Sequence, residues 1–183
     1  MGILDDLESR LKDPSMPDRV GTYAVEAIRK KIADGKFTAN SDLTKNVKKG
    51  SPPLSDRGLL INTISYRPGD GSVHVGSTHP GAAVNNYGGT IRAKGEWLVI
   101  PASSRTRTLQ RKYGWSPKEV CDGLRADGFS VWRQGRALFY RKKGKRTKSY
   151  LIFVLKKSVT IPKREFFKLD AAEIQELLSI IRG

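Results

Sequence analysis

Five of the six residues from Arg141 to Arg146 (Arg-Lys-Lys-Gly-Lys-Arg) are cationic. Charges so close repel one another unless an anionic partner lies nearby, so the run marks a site for phosphate or for an acidic protein surface. A second group, Arg105, Arg107, Arg111 and Lys112, stands in the polar stretch 102–112. With Arg141, Lys142, Lys143, Lys145 and Arg146, these are the candidate residues for binding an anionic partner or DNA. Trp97, Trp115, Phe129, Trp132, Phe139 and Tyr140 interleave with them. Proteins that hold single strands use that mixture, stacking bases on ring faces. The same rings also fit the core of a small sheet with cations on the alternate face, and the strand positions of Trp132 and Phe139 favour burial.

Catalytic chemistry leaves a different trace. Of the two histidines, His74 alternates with Val73 and Val75 as a strand residue, and His79 precedes Pro80 with no carboxylate near it in sequence. No His-Glu-x-x-His, phosphate-loop or Gly-x-Ser-x-Gly pattern occurs. Asp56, Asp70 and Glu96 have no spacing that organises an acid–base or metal site. The sequence predicts no enzyme, no metal and no cofactor. The single cysteine, Cys121, excludes an internal disulfide and reads as a small apolar side chain in a helix between Val120 and Leu124.

The net charge of +16 is local. Residues 92–168 hold 21 Lys+Arg against 5 Asp+Glu, and the rest of the chain holds 13 against 13. Apolar runs such as Tyr150–Leu155 fall far short of the roughly 20 residues a membrane helix needs. Met1-Gly-Ile-Leu-Asp-Asp places acid where a secretion signal carries cations, and Asp6 stands where myristoylation needs Ser or Thr. The expectation is a cytosol-like compartment and no membrane partner.

The elements that must position these residues follow from periodicity and punctuation. Helices are predicted over 3–12 and 18–34, the second ended by Asp34-Gly35. Residues 36–52 read as an extended polar loop that orders on contact with a neighbour. A hairpin turns at Pro68-Gly69-Asp70-Gly71 into the alternating Ser72-Val-His-Val-Gly76, and a short helix over 80–87 stops at Gly88-Gly89. Trp97–Ile100 reads as a strand and 102–112 as a loop. Ser116-Pro117-Lys118-Glu119 is a capping box that opens a helix closed by Gly128. Strands follow over 129–133, 137–141 and 149–155, and Asp170 with Glu173 caps a last helix over 171–182.

One block is interrupted and then resumes. It runs Pro53-Leu-Ser-Asp-Arg-Gly-Leu-Leu60, then Val75-Gly-Ser77, then Ala82-Ala-Val-Asn-Asn-Tyr-Gly88, and returns at Ile161-Pro-Lys-Arg-Glu-Phe166. In order and spacing it resembles the phage virion morphogenesis family, the Mu-like tail-completion or neck proteins. The matching residues are Pro53, Leu54, Asp56, Gly58, Leu60, Val75, Gly76, Ser77, Ala82, Ala83, Asn86, Tyr87, Gly88, Ile161, Pro162, Arg164 and Phe166. The resemblance covers about 18–91 and 159–182. Arg57, Lys163 and Glu165 stand where members usually carry Thr, Ala and Pro.

The resulting expectation is an α+β protein: N-terminal helices, an antiparallel sheet with the C-terminal helix packed on it, and a basic β-rich insertion. The core is assigned to 1–91 and 159–183, and the insertion to 92–158. The resemblance implies a non-catalytic virion protein, assembled in the host cytoplasm, that completes or terminates the tail or joins tail to head. It further implies a ring of this chain, six subunits by family analogy, beside tail-tube, terminator or connector proteins and DNA in the channel. The alternative from composition is a nucleic-acid-binding protein that uses the basic 92–158 segment.

Overall fold

Helical and strand periods alternate along this chain, and the structure resolves them into an α+β architecture. The computed structural model describes residues 13–48, 52–144 and 148–182. The helix expected over 3–12, Lys145 and Arg146 lie outside the described residues. In chain order the elements are α1 (Met16–Asp34), α2 (Asp42–Val47), α3 (Leu59–Asn62), β1 (Ile64–Gly69), β2 (Ser72–Ser77) and α4 (Ala82–Tyr87). Then come β3 (Gly89–Arg92), β4 (Leu98–Pro101), α5 (Ser104–Tyr113), α6 (Pro117–Ala126), β5 (Phe129–Gln134) and β6 (Ala137–Lys142). The chain ends with β7 (Tyr150–Lys156), β8 (Ser158–Ile161) and α7 (Ala171–Arg182).

The chain divides into two compact units. The first comprises Met1–Thr38, Pro52–Gly89 and Pro162–Gly183; the second comprises Ala39–Ser51 and Thr90–Ile161.

In the first unit, α1 starts with Pro17 in its first turn, where a missing N–H costs nothing, and stops at left-handed Gly35. Its apolar stripe of Val25, Ile28 and Ile32 shares a core with Leu60, Ile64, Ala82 and Phe166. The β1–β2 hairpin packs on α1, with Ile64 opposite Ser77 and Gly69 opposite Ser72. Gly21 makes that approach possible, because a Cβ there would fall 2.3 Å from the Tyr66 ring. The Tyr66 hydroxyl then donates to Asp18 at 3.1 Å. Helix α7 lies beside α1. Asp170 and Glu173 cap it reciprocally, and Lys31 of α1 reaches Glu173 at 2.7 Å.

In the second unit a four-stranded antiparallel sheet runs in the order β4-β7-β6-β5, and β3 pairs with β8. Helix α6 packs on β5, and α5 packs on α6, β4 and β7. The core joins Val120 and Leu124 of α6 to Tyr140, Ile152 and Phe153 of the sheet. The expected capping box at Ser116 and Glu119 is present in both directions.

Two expectations fail here for physical reasons. Residues 104–113 form a helix, not a loop. Its buried face includes Thr106 and Gln110, polar residues one turn apart that hide the apolar periodicity. The Thr106 hydroxyl donates to the Ile152 carbonyl at 2.7 Å, and Gln110 donates to the Trp115 carbonyl at 3.1 Å. Residues 42–47 are also helical, not extended. Ser41 caps α2 by accepting from the Thr44 amide, Val47 is buried, and α2 packs on α5 of the same chain.

Candidate functional site

The second unit holds 21 Lys+Arg against 5 Asp+Glu, and the first holds 13 against 13. The whole net charge therefore belongs to the unit built on the four-stranded sheet.

Its candidate cations have different duties. Arg105 lies 4.3 Å from the Tyr150 ring centroid, and the Tyr140 hydroxyl, with Tyr150, holds its pKa above the ordinary arginine value. Lys112 reaches Asp127 and the Tyr113 hydroxyl, and the Tyr113 hydroxyl also donates to Asp127 at 2.7 Å. These bonds, Asp127 foremost, raise the lysine's pKa and lower the carboxylate's. Arg105 and Lys112 thus lock helix α5 in place. Arg107 lines a cleft with Leu43, Val47, Ile100 and Val159, whereas Arg111 is exposed at the end of α5. Arg141, Lys142 and Lys143 are exposed at the end of β6, and Arg141 stands 5.5 Å from the Trp132 ring centroid.

The aromatic residues divide between the two faces of the sheet. On the face covered by helices Phe129 and Tyr140 meet edge to face at 5.6 Å, and Tyr140 and Tyr150 lie tilted at 5.5 Å. Trp132 and Phe139 do not join that core, contrary to the sequence expectation. They are cross-strand partners on the opposite face, stacked at 5.9 Å with 21° between planes, and both are half-buried. Strand alternation explains the division: Val131 and Tyr140 point one way, so Trp132 and Phe139 point the other. Trp115 is exposed.

One cluster escaped sequence reasoning. The Trp97 ring has Lys157 at 4.1 Å, Arg133 at 5.3 Å and Arg136 at 5.8 Å from its centroid. The indole N–H of Trp97 is buried and finds no acceptor among the described residues. Arg133 and Arg136 flank the Gln134-Gly135 turn, and Lys157 follows β7. The cluster forms because β7 pairs with both β4 and β6, bringing the start of one and the turn before the other to the same end of the sheet. Cations flanking a turn were the available signal, but only the pairing places a tryptophan beside them.

In the first unit the interrupted block comes together in space. Leu54, Leu60, Val75, Ala82 and Phe166 contribute to one core. Arg164 is buried; its Nε donates to the Thr38 carbonyl at 2.9 Å and its Nη1 to Asn85 Oδ1 at 3.2 Å. Burial pushes the Arg164 pKa down. Asn86 Oδ1 accepts from the Phe167 amide at 3.1 Å, and Ser77 shares a 2.7 Å hydrogen bond with Thr63. Lys163 and Glu165 pair with each other at 2.9 Å.

His74 is exposed beside the Ser72 hydroxyl, and His79 Nδ1 accepts from the Gly81 amide at 3.0 Å. Among the described residues no group of three or more His, Cys, Asp or Glu is placed to hold a metal, and no helix is long and apolar enough to cross a membrane. Burial raises the Cys121 pKa, keeping it a thiol. No protein-family model matches this chain, and neither a curated protein nor a solved structure does so.

Proposed function

We propose that this chain is a structural protein of a tailed-phage virion, completing or terminating the tail at its head-proximal end or joining tail to head. The observation that carries the reading is the convergence of the interrupted block in one unit. Its apolar positions (Leu54, Leu60, Val75, Ala82, Phe166) share a core, and Ser77, Asn86 and Arg164 bond the backbone of His79, Phe167 and Thr38. These residues are spent on architecture, which suits a scaffold that acts by assembling. The chain works as a ring of six copies, by analogy with the family, because a heterologous contact closes when its rotation closes. Leu59 and Tyr87, large side chains left to solvent on the first unit, supply candidate contacts between copies. The charged second unit then faces an acidic surface of a neighbouring tail-tube, terminator or connector protein, or the DNA channel.

Particles assembled without this gene test the proposal directly. Electron microscopy is expected to show full heads separate from tails. Intact, infectious particles would overturn the assignment.

A nucleic-acid-binding function is the second reading. The observation in its favour is the half-buried Trp132–Phe139 pair on the sheet face opposite the helices, within the unit that carries the charge.

A further inference from the structure

The centre of that sheet face carries a row of three cross-strand partners. Trp132 of β5 lies opposite Phe139 of β6, which lies opposite Leu151 of β7. Leu151 is 37% exposed; it pairs with β6 and lies just beyond Phe153–Lys156, the stretch of β7 that pairs with β4. An apolar side chain in the middle of a sheet normally has a layer packed over it. Here the row ends in cations. Arg141 shares the face with Phe139 two residues earlier and stands over Trp132. Farther along β7, exposed Lys156 shares the face of Val154.

We infer that this face binds single-stranded nucleic acid, with bases stacked on the Trp132 and Phe139 rings and phosphates held by Arg141 and Lys156. Two features and two comparisons choose that occupant. The unit's charge calls for a polyanion. Rings stacked across β5 and β6 of a four-stranded sheet offer π-surface to unpaired bases, as sheet platforms that hold single strands do. A duplex keeps its base faces inside the helix and would meet only the cations. An acidic protein would satisfy the cations, but would cover the rings only where it also presented aromatic or apolar side chains, which acidity alone does not supply. In the unbound molecule Arg141 covers Trp132; on binding it moves from ring to phosphate. The inference deepens the second reading and stands apart from the virion role, since a protein outside any particle could use the same face.

The test is fluorescence anisotropy of labelled oligothymidylate with the full chain, and tryptophan emission read in parallel. Native protein is expected to bind with a steep salt dependence and to show quenched emission. Trp132→Leu or Phe139→Leu, which keep an apolar side chain in place, should each weaken binding about 5- to 150-fold, the range for loss of one stacked base. Arg141→Gln should lower the salt slope by about one ion, and Trp115→Ala should change nothing. Binding of native protein without quenching overturns the proposal. So does equal affinity for duplex and single strand, or equal affinity for polyglutamate, which would mark a phosphate-blind cationic surface for acidic proteins. Should a ring variant fail to fold, the quenching and Arg141→Gln measurements decide the question.

Discussion

The two units achieve stability with different materials. The first is near charge balance and packs an ordinary apolar helix stripe on a hairpin; among its described residues the one buried charge is Arg164. The second carries all of the net charge and buries polar side chains, Thr106 and Gln110, against backbone carbonyls. A unit crowded with cations can still fold when many of them are engaged at home, as Arg105 is on Tyr150 and Lys112 on Asp127. The cations and rings left over define its surface. Both units bury hydrogen-bonded polar side chains, Asn86 and Arg164 in the first and Thr106 and Gln110 in the second; what separates them is the net charge carried around the core.

Because Trp97, Trp115 and Trp132 all belong to the second unit, tryptophan emission reports on that unit alone. Far-UV circular dichroism reports on both, so urea titrations followed by the two probes can separate them. Arg164→Ala should have the largest effect, on the order of 3 kcal/mol, because it empties the volume of a buried side chain and removes its hydrogen bonds to the Thr38 carbonyl and Asn85. The loss should appear in the circular dichroism midpoint and leave the tryptophan midpoint in place. A joint shift of both would show that the units unfold as one.

Thr106→Val should act in reverse, costing roughly 2 kcal/mol at the tryptophan midpoint, since it removes the donor to a buried carbonyl of β7. Gly21→Ala sharpens the packing side of the comparison. Alanine gains about 1 kcal/mol in helix propensity but forces the Tyr66 ring away. The expected net loss is about 1–2 kcal/mol, again confined to the first unit. A stabilised variant would mean that the ring moves freely.

The smallest effect is that of acid. Glu119, Asp122 and Asp127 of the second unit have pKa values lowered by bonds to Ser116, Lys118 and Lys112 respectively. A lowered carboxylate pKa contributes stability above the unfolded value near 4, and that contribution fades as pH falls through the folded value. The tryptophan midpoint should therefore decline below about pH 4, while protonation also raises the unit's positive charge. A midpoint unchanged down to about pH 3 would show that these exposed pairs contribute nothing.

Much of the molecule was legible because its signals are local. Helix α1 follows from an apolar stripe with Pro17 and Gly35 at its ends, α6 and α7 from their capping boxes, and the hairpins from glycine-bearing turns. The candidate cations were legible as a composition, but not their duties. Arg105 and Arg141 look alike in sequence; one, in helix α5, stands over the Tyr150 ring, and the other, at the end of β6, over Trp132. Helix α5 was illegible because the apolar pattern reads hydrophobicity, and two of its buried residues are polar.

The sequence by itself determined where the charge lies, which residues start and stop the main helices, and that the strands alternate. The tertiary structure decided which face each ring occupies. Along β7, plain alternation would set Leu151 with Phe153 and Leu155. A register shift beside Leu138 and Phe139 instead pairs Leu138 with Phe153 and Phe139 with Leu151, leaving Ile152 as an extra residue. Ile152 and Phe153 are then both buried, and Leu151 turns outward into the row with Trp132 and Phe139. A strand's own residues fix the period of two, but its phase against the core is set by the partner strand, which no local pattern encodes.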